Sequence, residues 1–174
     1  MTASGTGAMG RRGSGSGWVR DMCYILMLST TFDGDLTAHD TDLLGFVREP
    51  LEEPSAVHLM YPNRWLVRGH GGTCSCGFRH VMDAAIGFGE PEDWHPEEPD
   101  SLEATRQFYA VVRTLAASGF GVDCVDAWNG ADASSIRRKR VTASKVGDTE
   151  FRLFENYHFE FHSEPRAKRR YKPR

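Results

Sequence analysis

The stretch Met22-Cys-Tyr-Ile-Leu-Met-Leu-Ser29 decides the fold of this chain. Its segment from Met22 to Leu28 is the longest apolar run in the sequence, and it has the length of a strand. A strand with nearly continuous apolar residues is covered on both faces, or packs on one face against large neighbours. We therefore predict a central strand here, with Cys23 as a packing residue.

Four other segments carry strand patterns. Residues 56–61 and 64–68 lie on either side of a proline–asparagine turn signal, which predicts a hairpin. Residues 122–128 are mostly apolar and predict a further strand. Residues 150–162 alternate apolar and polar side chains, which is typical of a half-buried strand, with a kink expected at Glu155-Asn156.

Two main helices are predicted. The second begins with Asp100 as its cap, has Glu103 in a capping-box position and ends at Gly119. A short helix is also expected after Thr41. The first main helix rests on apolar residues at i, i+3, i+4, i+7 and i+8, namely Phe78, Val81, Met82, Ala85 and Ile86. The expected fold is α+β, a mainly antiparallel sheet of about five strands with the two main helices on one face.

The composition is that of a single soluble domain. The chain has 174 residues, 40 % hydrophobic and 26 % charged, which are ordinary values for a globular protein. We expect residues 1–17 to be a disordered segment, 18–163 a single α+β domain and 164–174 a basic tail. No apolar run is long enough for a membrane helix, and no secretory signal is evident. Four cysteines are too few for a disulfide scaffold, so a cytoplasmic protein with reduced thiols is expected.

The strongest candidate site is the stretch Arg68-Gly-His-Gly-Gly-Thr-Cys-Ser-Cys-Gly-Phe-Arg-His80. It would connect a strand to the N-terminus of the first predicted helix, where a cysteine thiolate is stabilised and its pKa is lowered. Cys-x-Cys is neither a Cys-x-x-Cys redox motif nor half of a four-cysteine site. The favoured interpretation is a tight glycine turn with packed cysteines. The alternatives are a reactive thiol or a metal site, with zinc as the cofactor.

Candidate residues for these alternatives are few. A thiol enzyme would use Cys74 or Cys76 with His70, and Arg79 would bind an anion. A metal site would draw on the same two cysteines and on nearby histidines. His158, Glu160 and His162 share one strand face, although an ordinary solvated face is the favoured interpretation there. The metal-ligand candidates are His70, Cys74, Cys76, His80, His158 and His162.

Charged residues are strongly segregated along the chain. Residues 89–100 form an acidic, proline-rich loop that contains Trp94, which either anchors the loop, the favoured interpretation, or is displayed to a partner. Residues 131–148 are expected to be an irregular loop with a basic run, and the tail is also basic. Flexible basic segments bind phosphates without sequence preference. The candidate partner-binding residues are Trp94, Arg137, Arg138, Lys139, Arg140, Arg169 and Arg170.

The sequence supports three hypotheses for function. The leading hypothesis is a small cytoplasmic protein that binds a macromolecular partner, expected to be a protein, as an adaptor, inhibitor or regulator. It rests on the segregated charges and on the lack of a complete catalytic motif. The second is a metal- or thiol-dependent protein or enzyme centred on Cys74 and Cys76. The third is nucleic-acid binding through residues 137–140 and the basic tail. Whether the protein is an enzyme stays open.

Overall fold

The computed structural model describes residues 23–48, 51–69 and 74–164. The expected disordered segment 1–17 lies outside these ranges, as do His70, Arg169 and Arg170. The described chain contains eight strands and one α-helix, with four short 3₁₀ segments between them. The elements are β1 (Tyr24–Thr30), β2 (Gly45–Val47), β3 (Asn63–Arg68), β4 (His80–Val81), α1 (Pro99–Ala117), β5 (Val122–Trp128), β6 (Arg137–Thr142), β7 (Leu153–Phe154) and β8 (Tyr157–His162).

A six-stranded sheet forms the body of the protein, in the order β2-β3-β1-β5-β8-β6. Neighbouring strands are antiparallel except β6 and β8, which are parallel. The prediction of a mainly antiparallel sheet is therefore confirmed, with six strands instead of about five. β4 and β7 form a separate two-stranded parallel ladder.

Strand β1 lies at the centre of the sheet, between β3 and β5. Leu26 and Leu28 are buried in the larger core, which contains the apolar face of α1. Met27 points to the other side and packs in a smaller core with Leu59 and Val125. Because both faces of β1 are covered, the prediction of a central buried strand from its continuous apolar residues is confirmed.

Helix α1 is the second of the two predicted main helices. The predicted apolar stripe is buried against the sheet, with Phe108 and Val112 fully inaccessible. The helix ends as predicted at Gly119, whose φ of 89° places it in the left-handed region. Its start differs, because Glu98 is the N-cap and Pro99 occupies the first turn, where its missing N–H costs no hydrogen bond.

The first predicted main helix is wrong. Residues 78–86 form a turn, the short strand β4 and a 3₁₀ segment at Ala84–Ile86. Backbone groups of this region bond across the fold, since Arg79 O accepts from Leu153 N and Val81 O accepts from Glu155 N. In a helix, these carbonyls would instead accept hydrogen bonds from the N–H groups four residues further along the chain. One residue of the proposed apolar stripe, Met82, is 80 % exposed.

Three smaller expectations are corrected as well. The first arm of the expected hairpin is a 3₁₀ segment at Pro54–His58, and β3 pairs with β1 and β2. The short helix expected after Thr41 is replaced by a 3₁₀ segment at Leu36–His39 and by strand β2. The basic run lies in strand β6 and not in a loop.

The kink expected in the last strand is confirmed. β7 and β8 are separated by a turn at Glu155-Asn156, where Asn156 has a φ of 60°. Asparagine tolerates this left-handed conformation better than most residues.

Candidate metal centre

Three cysteine side chains converge at the N-terminal end of β1. The Sγ atoms of Cys23, Cys74 and Cys76 all lie within 4.8 Å of one another. In a tetrahedral zinc site with Zn–S bonds of about 2.3 Å, neighbouring sulfurs are about 3.8 Å apart. The three sulfurs are therefore close enough to share one metal ion after a small contraction. Within the described ranges, this is the only group of three or more Cys, His, Asp or Glu residues that could hold a metal ion.

Ser75, between the two cysteines of the loop, fixes this loop to the sheet. Its hydroxyl accepts a hydrogen bond from Leu26 N at 2.7 Å and donates one to Val67 O at 2.6 Å. Its backbone N–H donates to Tyr24 O at 3.3 Å. Ser75 is fully buried, so the Cys-x-Cys segment is held against β1 and β3 by three contacts within the protein.

Burial within the cysteine cluster disfavours an isolated thiolate at Cys76. Burial raises the pKa of Cys76 to about 12, and the neighbouring Cys74 and Cys23 also raise it. Tyr24 N donates to Cys76 Sγ at 3.4 Å, a contact that favours the thiolate. The lowered cysteine pKa expected from the sequence is therefore wrong for Cys76, because no α-helix begins at this loop. A divalent cation bound at this site would replace the thiol proton of Cys76 and stabilise its thiolate.

His80 lies directly beneath the cysteine loop but is not available as a ligand. Its Nε2 faces Ser75 O at 2.7 Å, and its Nδ1 faces Asp126 Oδ2 at 2.9 Å. A carbonyl and an ionised carboxylate both accept, so with Asp126 ionised both ring nitrogens donate and the ring carries a charge. Burial alone would lower the pKa of His80, but Asp126 and the Ser75 carbonyl raise it. The ring also stacks on Tyr24, with centroids 3.8 Å apart.

The candidate ligands on β8 lie elsewhere. His158, Glu160 and His162 do share one strand face, but His158 and Glu160 are buried, so the expectation of a solvated face is wrong for these two. His158 Nε2 faces Asp123 Oδ2 at 2.7 Å. Asp123 also accepts from Met60 N at 2.9 Å. His158 is therefore engaged in a buried polar network.

Arg79 is not free to bind an anion. Its side chain is 2 % exposed and forms an ion pair with Glu97 of the acidic loop. Its Nη1 donates to Thr149 O at 2.8 Å and to Gly89 O at 3.3 Å. Arg152 donates to the same Gly89 carbonyl and to Glu90 O. The two buried arginines hold the acidic loop against the body of the protein.

Trp94 does not anchor this loop. Its side chain is 67 % exposed, and its ring contact is an edge-on approach to the adjacent His95. The favoured sequence interpretation, that Trp94 fixes the loop, is therefore wrong. The loop is fixed by Arg79 and Arg152, which the sequence did not identify for this role.

The site residue that sequence reasoning missed is Cys23. Its position in an apolar run favours a packing role, and Cys74 follows 51 positions later. Its place at the very end of the central strand is the signal that could have separated it from the buried residues after it.

Within the described ranges, no helix is both long and apolar enough to cross a bilayer. Comparisons with protein-family models, curated proteins and solved structures give no match to this chain.

Proposed function

We propose that this protein is a metal-thiolate protein that binds one zinc ion through Cys23, Cys74 and Cys76. The observation that carries the proposal is the convergence of three sulfurs from two distant segments within 4.8 Å. Thiolates are soft ligands that select zinc over magnesium or calcium. We place this function in the cytoplasm, where thiols stay reduced and available to a metal.

The surroundings of the cluster support this assignment. Metal-bound thiolates are oriented by hydrogen bonds from groups around them, and Tyr24 N supplies such a bond to Cys76 Sγ, while the Ser75 contacts fix the backbone of the loop. Three protein thiolates leave one position of a tetrahedral zinc for a further donor. A site of this kind can stabilise a fold or hold a reactive water.

The test is the metal content of untagged protein, purified without chelator and measured by mass spectrometry. We expect about one zinc per chain. Zinc should be lost in Cys23→Ser, which distinguishes this site from one built on the Cys-x-Cys loop alone. Cobalt substitution should give the visible absorption of tetrahedral thiolate coordination.

The matched control is Cys124→Ala, because Cys124 is a buried cysteine on β5 and does not belong to the cluster. This variant should keep its zinc. A metal-free wild-type protein under reducing conditions would contradict the proposal. A disulfide among the three cysteines in the native protein would also contradict it and would point to redox chemistry instead.

A second function, binding of a protein partner, is favoured by the acidic loop. The loop displays Trp94 at 67 % exposure while two buried arginines hold its ends. An exposed tryptophan on a preorganised loop is typical of a binding hot spot. In quantitative affinity capture, a specific partner should be lost with Trp94→Ala and kept with Met82→Ala, which removes an even more exposed apolar side chain. Equal recovery with both variants would refute this role.

A further inference from the structure

The basic run of the sequence forms an exposed edge of the main sheet. Strand β6 is the last strand in the sheet order, and its one partner in the described part of the chain is β8. The side chains of Arg137, Arg138 and Arg140 are exposed. Alternation along the strand places Arg138 and Arg140 on one face and Arg137 and Lys139 on the other, where Lys139 Nζ lies 4.9 Å and 4.7 Å from the ring centroids of Phe88 and Phe154.

One buried carboxylate positions two of these arginines. Glu160 Oε1 lies 2.7 Å from Arg138 Nε, and Glu160 Oε2 lies 3.2 Å from Arg140 Nε. The Glu160 side chain is 5 % exposed, whereas those of Arg138 and Arg140 are 59 % and 75 % exposed. Both ion pairs use Nε, and both arginine side chains stay largely exposed beside the buried carboxylate. A single carboxylate also leaves a net positive charge on this surface.

Further cations lie at the end of β6. A groove of about 510 Å³ is lined by Arg140, Lys145, His162 and Glu164, among others. After Glu164 the chain continues into residues 165–174, of which six are Lys or Arg. The fold therefore brings the basic run to the point where the basic tail begins, a proximity that the sequence does not show.

We propose that the surface formed by Arg138, Arg140 and Lys145 binds the phosphate backbone of a nucleic acid. Guanidinium Nη groups match phosphate oxygens in geometry and charge. Alternate residues on a strand are about 6.6 Å apart, so Arg138 and Arg140 can contact separate phosphates. The whole chain has a net charge of −3, so the attraction is a property of this surface and not of the protein as a whole. This inference does not depend on the zinc site.

The test measures fluorescence anisotropy of a labelled 20-nucleotide single strand with the full-length protein over a range of salt concentrations. The variant is Arg140→Gln/Lys145→Gln, in which Arg138 still neutralises Glu160. Loss of two phosphate contacts should reduce the slope of log K against log salt by about 1.4 for a single strand. At 0.1 M salt, this corresponds to binding weakened by about 25-fold.

The matched control is Arg106→Gln/Arg113→Gln, which removes the same charge from α1, where these residues pair with Glu103 and Asp148. Its slope should stay close to that of the wild type. Equal slopes for both double variants, or no salt-dependent binding by the wild type, would overturn the proposal. Binding of polyglutamate as tight as that of the oligonucleotide would also overturn it and would indicate an acidic protein as the partner.

Discussion

Replacing Glu97 by Gln tests the role of the buried arginines most directly. The side chains of Arg79 and Glu97 are only 2 % and 7 % exposed, and Arg152 lies nearby with its own side chain buried. Glu97→Gln keeps the shape of the side chain but removes the charge that compensates two guanidiniums. Breaking a buried ion pair from one side costs about 3–5 kcal/mol, because the remaining charge stays buried without compensation.

The expected effect is large in a urea titration monitored by circular dichroism. With a slope of about 2 kcal/mol per molar urea, the midpoint should fall by about 1.5–2.5 M. The control is Glu103→Gln, which breaks the surface ion pair with Arg106, where the side chains are 37 % and 41 % exposed. A surface pair of this kind contributes about 0.5 kcal/mol. If Glu97→Gln shifted the midpoint no more than Glu103→Gln, the buried arginines would not depend on this carboxylate.

Three further predictions concern single side chains. The pKa of His80 is raised in the fold, so its stabilising charge is present below the ordinary pKa of 6.5 and is lost as the pH rises through the folded-state value. In the wild type, the free energy of unfolding should therefore fall as the pH rises above 6.5, and in His80→Gln this fall should be smaller. Urea titrations from pH 6 to 9 measure both. The same pH dependence in the variant and the wild type would refute a charged His80. Gly119→Ala should lower the free energy of unfolding by about 1 kcal/mol, because alanine is strained at a φ of 89°. The added methyl group meets no atom within 4 Å, so no steric clash adds to this cost. A neutral result in thermal melts would show that the helix end adjusts. Trp94→Ala should change stability by less than about 0.5 kcal/mol, and a larger loss would mean that Trp94 packs against the body after all.

The elements predicted correctly are those whose pattern is long or unmistakable. β1 has a continuous apolar run, β8 alternates strictly, and α1 combines an apolar stripe with a terminal glycine. Each pattern reflects burial over six residues or more. The same reasoning failed for residues 78–86, since nine residues can match a helical stripe while their backbone groups bond to β7 instead.

The candidate site was predictable only in part. The Cys-x-Cys loop was identified because its glycines and cysteines are concentrated in one segment. Cys23 joins it through hydrogen bonds between Ser75 and β1, contacts that no local pattern encodes. The buried positions of His80 and Arg79 likewise depend on partners in distant segments, Asp126 and Glu97. Pairings of this kind are set by tertiary packing and not by sequence spacing.

The cysteine cluster also has a consequence for the order in which the chain folds. A metal held by Cys23 and Cys74 would act as a crosslink that closes a loop of about 50 residues, comprising the first three strands of the sheet. A covalent link across a loop of this length lowers the conformational entropy of the unfolded chain, which stabilises the folded state by about 4 kcal/mol. Loaded during synthesis, the ion would hold the N-terminal half in a near-native topology before α1 and β5 are available to cover β1.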